Sequence, residues 1–355
     1  MSAHHRAASA LARSPDVLTP EAITFVAALS KRFEGRRREL LSLRDEAQAR
    51  FDAGERPDFD PATASMRTAS WTVRPPPAEL QRRCVEITGP VERKLMINAL
   101  NSGADGFMAD FEDANAPTWA NGVAGQANLM DAVRGQLTFT NAEGKVYAVG
   151  ARPAVLWVRP RGWHLVERNA PGGAVAASLF DAGLFLFHNA RRLLDKGSGS
   201  YLYLPKLEHH LEARLWEEVL AFCEERLGLP HGAVRVTVLI ETLPAAFQME
   251  EILWELRGRC VALNAGRWDY LFSAIKTFRA HPDRVLPDRE ALTMEAPFLR
   301  AYAALLVATC HKRAAHAIGG MAAFVPDRAD ATATAAALRG VRADKEREAA
   351  AGFDG

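Results

Sequence analysis

"LEARLWEEVLAFCEERLG" (211–228) and, after the short link "LPHGA" (229–233), "VRVTVLIE" (234–241) show the repeating unit of this chain. In the first stretch Leu211, Leu215, Val219 and Cys223 recur every four residues, which places them on one face of a helix. The second is mostly apolar and β-branched up to Glu241, as expected of a strand covered on both faces. A one-sided helix next to such a strand is the unit of a parallel sheet covered by helices.

The same alternation recurs on both sides of this unit. Short apolar runs stand at "VEITG" (85–89), "GFMAD" (106–110), "AVLWVRP" (154–160), "YLYLPK" (201–206), "CVALNAG" (260–266) and "AIGGMAAFVP" (317–326), mostly separated by helical sequence. With 234–241 they make seven candidate strands, where a (β/α)₈ barrel needs eight. The segment "LTFTNAEGKVYAV" (137–149) reads as an inserted β-hairpin turning at Asn141 to Gly144, within a β-rich insertion of about 130–152. Thr19-Pro20-Glu21 is a helix start, with a hydroxyl to cap and a proline in the first turn. The helical sequence after it is expected to break near Gly35, and "RPPPAEL" (74–80) to link residues 1–80 to a main domain over 81–355.

The 355 residues carry 44 basic and 43 acidic side chains, so no net charge favours nucleic acid or an anionic membrane. No apolar run approaches the roughly 18 residues of a membrane span. The start "MSAHHRAASALARSPD" lacks a secretory core; it is basic and rich in Ala and Ser, which leaves organelle targeting as a weaker reading beside that of a loose cytosolic tail. Cys84, Cys223, Cys260 and Cys310 are scattered, which fits reduced, mostly buried thiols in the cytoplasm rather than zinc or disulfides.

Reactive groups in parallel α/β folds collect where strands end. Those ends supply Asp110, Glu112, Asp113, Arg159, Arg161, Lys206, Glu241 and Asp269. Several carboxylates without a Cys/His cluster suit Mg²⁺, a hard cation that prefers oxygen. Arg159 suits a small carboxylate or a developing enolate oxygen, because its guanidinium keeps its charge. Position alone leaves a second reading open for each. Glu241 also suits a cap on the next helix, Asp269 a turn acceptor, Arg159 a structural ion pair and Lys206 a solvated strand end. The "DFED" acids also suit a helix start, and His164, His188 and His311 the scaffold. Co-location at strand ends favours the chemical reading.

The motifs "VEITGPVERKLMINALNSGADGFMADFEDANAP", "RPRGWHL", "GSGSYLYLPK", "LIETLPAAFQMEEIL", "LNAGRWDYLFSAIKTF", "PDRVLPDREALTM" and "AIGGMAAFVP" run in order along nearly all of the chain. In them the sequence resembles the malate synthases of the A type, the enzymes of the glyoxylate bypass. The resemblance implies a TIM (β/α)₈-type barrel with an N-terminal helical clasp and an inserted β-hairpin. It implies Mg²⁺ as cofactor and a condensation of acetyl-CoA, glyoxylate and water to malate and CoA. Carried over by position, Glu241 and Asp269 match the metal ligands and Arg159 the catalytic arginine. Gly266, Arg267 and Trp268 match the substrate-binding segment, and Glu112 and Asp113 look like supporting carboxylates.

Two departures are visible. "RGRCVALNAG" carries Arg259 and Ala262 where the family has His and Gly. The sequence also stops at "GFDG", so an incomplete barrel is expected, without its eighth strand and C-terminal helical domain. The family's general base lies in that domain, so none is assigned here. The expectation is an inactive or weakly active fragment, since losing the base costs about 10²–10⁴-fold. The alternatives are a related Mg²⁺-dependent acyl-CoA or 2-hydroxy-acid barrel lyase, or a non-catalytic module completed by a separate C-terminal partner.

Overall fold

The structure is a computed structural model describing residues 13–288, 292–321 and 329–355. The strands are β1 (Glu86–Pro90), β2 (Gly106–Asp110), β3 (Thr138–Thr140), β4 (Val146–Ala148), β5 (Val155–Arg159), β6 (Val166–Glu167), β7 (Val175–Ala176), β8 (Ser200–Leu204), β9 (Val234–Ile240), β10 (Cys260–Ala265) and β11 (His316–Ile318). Seven of them make the main sheet, in the order β1-β2-β5-β8-β9-β10-β11. That is chain order, with helices in every crossover and no reversal, as in a singly wound (β/α)₈-type barrel rather than a doubly wound sheet. The pairs β1–β2, β2–β5, β5–β8 and β10–β11 run parallel. All seven expected strands are present. Part of the run expected at 317–326 lies outside the described residues.

Two compact units divide the chain. The first holds residues up to Leu43, Pro76–Lys206 and Leu211–Thr237; the second holds Arg44–Pro75, Leu207–His210 and Val238–Gly355. In the first, every residue of β2 and β8 is buried, as helices on both faces require. Trp157 of β5 packs against Tyr201 and Tyr203 of β8, and the Arg83 guanidinium lies 4.2 Å from the Trp157 ring centre. On helix His210–Leu227 the expected stripe is borne out, with Leu215, Val219 and Cys223 buried.

The expected hairpin forms: β3 pairs antiparallel with β4, and Gly144 closes the turn at φ 82°. A second hairpin, β6–β7, has only two residues per strand, too short for alternation to reveal. The expected break near Gly35 is corrected, because helix Pro20–Asp52 is continuous. An exposed glycine costs a helix only about 1 kcal/mol. Ion pairs of Glu34 with Arg37 and Arg38, and of Arg36 with Glu39, bridge the position. Thr19 caps this helix as expected, its hydroxyl accepting from Ala22 N at 3.2 Å.

In the second unit, helix Pro297–Arg313 anchors the 64–71 segment. Arg313 is 1% exposed, donates to the carbonyls of Met66, Arg67, Ala69 and Trp71, and pairs with Glu250. Beyond β11, Asp354 N donates to Ala317 O and Gly319 N to Gly355 O, both at 2.8 Å. All four cysteines are free, three of them buried. Among the described residues no helix is long and apolar enough to cross a membrane.

Candidate active site

Asp110 ends β2 and Arg159 ends β5, and the two are register partners. Asp110 is fully buried and accepts from Arg159 Nε at 2.7 Å and Nη2 at 2.5 Å. The same carboxylate accepts the backbone N–H of Glu112 and of Ala114, at 2.8 and 2.6 Å, and so shapes the "DFED" turn. Arg159 Nη1 lies 3.1 Å from Asp113 Oδ2. The structural ion pair and the chemical role left open for Arg159 are therefore compatible: Asp110 orients a guanidinium whose third nitrogen faces Asp113.

Sequence reasoning placed Asp110 among the strand-end acids without a role. The signal was the matched register of two adjacent strands, each ending on a charge.

The Glu112 side chain is 5% exposed, with Gly162 N donating to Oε1 at 2.9 Å and Lys206 Nζ 3.5 Å from Oε2. Burial pushes its carboxyl up to about 7, against the opposing charges of Lys206 and Arg159. A Cβ at Gly162 would lie 2.9 Å from the His164 ring and 3.0 Å from Glu112 Oε1, so a larger residue would have to displace these side chains. Asp113 is half-exposed. Burial pushes it up, but Arg159 and Lys206 prevail and hold it below the ordinary carboxylate range. Lys206 is not the solvated strand end of the plainer reading, since its Nζ lies 3.1 Å from Asp113. Its φ of 56° is left-handed, an uncommon conformation for a residue with a Cβ.

Arg161 differs from its strand-end neighbour. It is buried in an ion-pair network with Asp181 (2.8 Å) and Glu167 (3.0 Å). Burial opposes its charge, but the two carboxylates outweigh that and raise its pKa. His188 is scaffold, its Nε2 2.7 Å from Val17 O.

In the second unit Glu241 follows β9 directly and is 1% exposed. The helix after it, Leu243–Ala246, is capped by Thr242, whose hydroxyl accepts from Ala245 N at 3.3 Å. The cap reading for Glu241 is thereby removed. Asp269 lies in the first turn of helix Arg267–Thr277, where the helix dipole favours a carboxylate, and not in a turn outside a helix. Ligand oxygens of Glu241 and Asp269 lie within 4.8 Å of each other.

Gly266 makes this approach possible, because a Cβ on it would meet Glu241 Cβ at 2.4 Å. Its N–H donates to Tyr302 Oη at 3.0 Å. The Arg267 side chain donates to Leu292 O at 2.9 Å, pairs with Asp344 at 3.4 Å and lies over the Trp268 ring at 4.6 Å. Arg259 and Ala262 are both buried, the second within β10.

Two oxygens on one Mg²⁺, each bonded at about 2.0–2.1 Å, are at most ~4.2 Å apart. The 4.8 Å bound on the Glu241 and Asp269 oxygens is close to that span, so the pair fits a hard cation. Each unit thus carries one part of the expected set: Glu112, Asp113, Arg159 and Lys206 in the first, Glu241, Gly266, Arg267, Trp268 and Asp269 in the second.

A family model described as the malate synthase TIM barrel domain matches residues 155–355, and one described as the malate synthase N-terminal domain matches residues 8–65. The chain is 57% identical over 342 residues to a malate synthase of Myxococcus xanthus (strain DK1622), covering 96% of this chain and 63% of that protein. It is 52% identical over 341 residues to malate synthase A of Escherichia coli (strain K12), with coverages of 96% and 64%. The chain therefore spans somewhat less than two thirds of the length of these relatives. Among solved structures, a lead(II) complex of Haloferax volcanii malate synthase aligns with a TM-score of 0.54 at 16% identity, covering 79% of this chain and 70% of that one, a likeness of fold. On its matched domains and its sequence identity, this chain belongs to the malate synthase family.

Proposed function

We propose that the chain serves a malate synthase reaction of the glyoxylate bypass, the Mg²⁺-dependent Claisen-type condensation of acetyl-CoA with glyoxylate and water to malate and CoA. The observation that carries the reading is the Glu241–Asp269 carboxylate pair, brought together across a glycine that has no room for a side chain. Glu241 and Asp269 would hold Mg²⁺, which supplies Lewis-acid polarisation of the glyoxylate carbonyl. Two Haloferax volcanii malate synthase structures, a magnesium/glyoxylate complex and a pyruvate/acetyl-CoA ternary complex, support this choice of ligands.

Arg159, held by Asp110, stabilises negative charge on the enolate oxygen derived from acetyl-CoA and on the alkoxide that follows. Its donors stay charged at any working pH and are already oriented before substrate arrives. Glu112 and Asp113 are the supporting carboxylates of the first unit, and Lys206 offsets their charge. Backbone N–H groups of Arg267 and Trp268, at a helix N-terminus, orient the glyoxylate carboxylate. No general base is assigned. A cytoplasmic location belongs to the same reading, supported by four free cysteines.

Calorimetric titration with glyoxylate tests the reading. Heat of binding is expected with Mg²⁺ present, and none after chelation or in Asp269→Asn. Glyoxylate binding that ignores both Mg²⁺ and the substitution would sink it. Cleavage of a malyl-CoA or citramalyl-CoA substrate without any condensation would favour a lyase.

A further inference from the structure

The Tyr302 hydroxyl is inserted between the two chain segments that carry Glu241 and Asp269. Tyr302 lies in helix Pro297–Arg313, is 2% exposed, and stacks on Tyr270 with ring centres 4.0 Å apart and planes 12° from parallel. Its Oη accepts from Gly266 N at 3.0 Å and donates to Ile240 O. Ile240 is the residue before Glu241. Gly266 caps the helix whose first turn holds Asp269.

The direct bond from Gly266 N to Ile240 O spans 3.5 Å, the outer limit for a hydrogen bond. Strands β9 and β10 end at this point, and the phenol oxygen bridges the chain there. A hydroxyl is suited to this because it donates and accepts at once, and here each role goes to one segment.

We propose that Tyr302 is a positioning residue whose hydroxyl sets the separation of Glu241 and Asp269 for a divalent cation. The inference rests on the reading of those two carboxylates as the cation ligands. It also assigns work to a residue far along the chain from either ligand. The stacked Tyr270 ring holds the phenol laterally, and the two hydrogen bonds fix how far its oxygen penetrates. Removing the oxygen leaves Ile240 O and Gly266 N with only their 3.5 Å contact, so the two segments change spacing while the ring packing stays.

The test uses the whole chain with Tyr302→Phe, and Tyr270→Phe as a matched loss of hydroxyl from the neighbouring ring. Mn²⁺ binding is followed by electron paramagnetic resonance and calorimetry, and exchange of the Gly266 amide by NMR. Tyr302→Phe is expected to weaken Mn²⁺ by about 10- to 100-fold, the range for residues behind metal ligands. It should also speed Gly266 amide exchange at least about tenfold and alter the Mn²⁺ spectrum, with an unchanged circular dichroism spectrum. Tyr270→Phe is expected to leave all of these unchanged.

Unchanged Gly266 exchange in Tyr302→Phe overturns the proposal, and so does faster exchange with wild-type Mn²⁺ affinity. Failure of the wild-type chain to bind Mn²⁺ overturns the cation reading itself, and the proposal with it. In wild type, the Gly266 amide resonance should shift during Mg²⁺ titration with the midpoint of binding. If it does not respond, the proposal falls even should Tyr302→Phe not fold.

Discussion

Asp110 and Arg159 end adjacent parallel strands in matched register and are joined by two hydrogen bonds, of 2.7 and 2.5 Å. Both are buried. The carboxylate spends its remaining capacity on the backbone of the next turn, so one side chain fixes both the guanidinium and the acidic loop.

Replacing Asp110 by Asn should leave Arg159 charged and buried with half its partner gone. Breaking a buried pair from one side costs about 3–5 kcal/mol. Urea unfolding should show a loss of that order. A loss under about 1 kcal/mol would show that Arg159 does not depend on this partner.

Glu112 makes stability depend on pH. Its folded value, about 7, lies above the ordinary 4.5, so the folded chain keeps the proton over that interval. Its contribution therefore falls as pH rises from about 4.5 to about 7, by on the order of 3 kcal/mol at most. Glu112→Gln should gain stability relative to wild type at pH 8 compared with pH 5. Identical pH profiles in urea would contradict the burial argument. Lys206→Met should move the Glu112 midpoint higher, because the Lys206 charge holds it down.

Gly266→Ala forces a methyl to within 2.4 Å of Glu241 Cβ. Overpacking of this kind costs about 1–3 kcal/mol. Moving Glu241 should also lower Mg²⁺ affinity by roughly tenfold or more. Calorimetry and a thermal melt on the same sample measure both, and wild-type values in each would show that the backbone yields.

Arg313→Lys tests the anchor of the 64–71 segment. One ammonium cannot reach four carbonyls and Glu250 together as the planar guanidinium does. A loss of about 2–4 kcal/mol is expected in thermal or urea unfolding, by the cost of buried groups left unpaired. A neutral substitution would mean that the segment is held elsewhere.

Much of the fold was legible because β2, β8 and β9 are buried along their whole length. Runs such as "YLYL" and "VRVTVLI" then stand out as apolar blocks between helical stripes. The β6–β7 hairpin was not, since two residues carry no period. Continuity through Gly35 was hidden as well, because ion pairs across the position outweigh the local preference of one residue.

For the site, strand ends located the charges but not their partners. Arg159 and Arg161 are two residues apart and look alike in sequence. The structure gives one to Asp110 and Asp113 and the other to Asp181 and Glu167. Those pairings span as many as 49 residues, which no local pattern encodes. The resemblance supplied roles for Glu241 and Asp269; the cap at Thr242 and the glycine at 266 supply the physical reason the two carboxylates approach.

Everything proposed for the second unit depends on Glu241 and Asp269 forming a divalent-cation site. Calorimetric titration of the chain with Mg²⁺, beside Glu241→Gln and Asp269→Asn, tests it most directly. One saturable site is expected in the wild-type chain and a loss of at least about 100-fold in either variant, each losing a charged ligand. Equal Mg²⁺ affinity in all three proteins would contradict it.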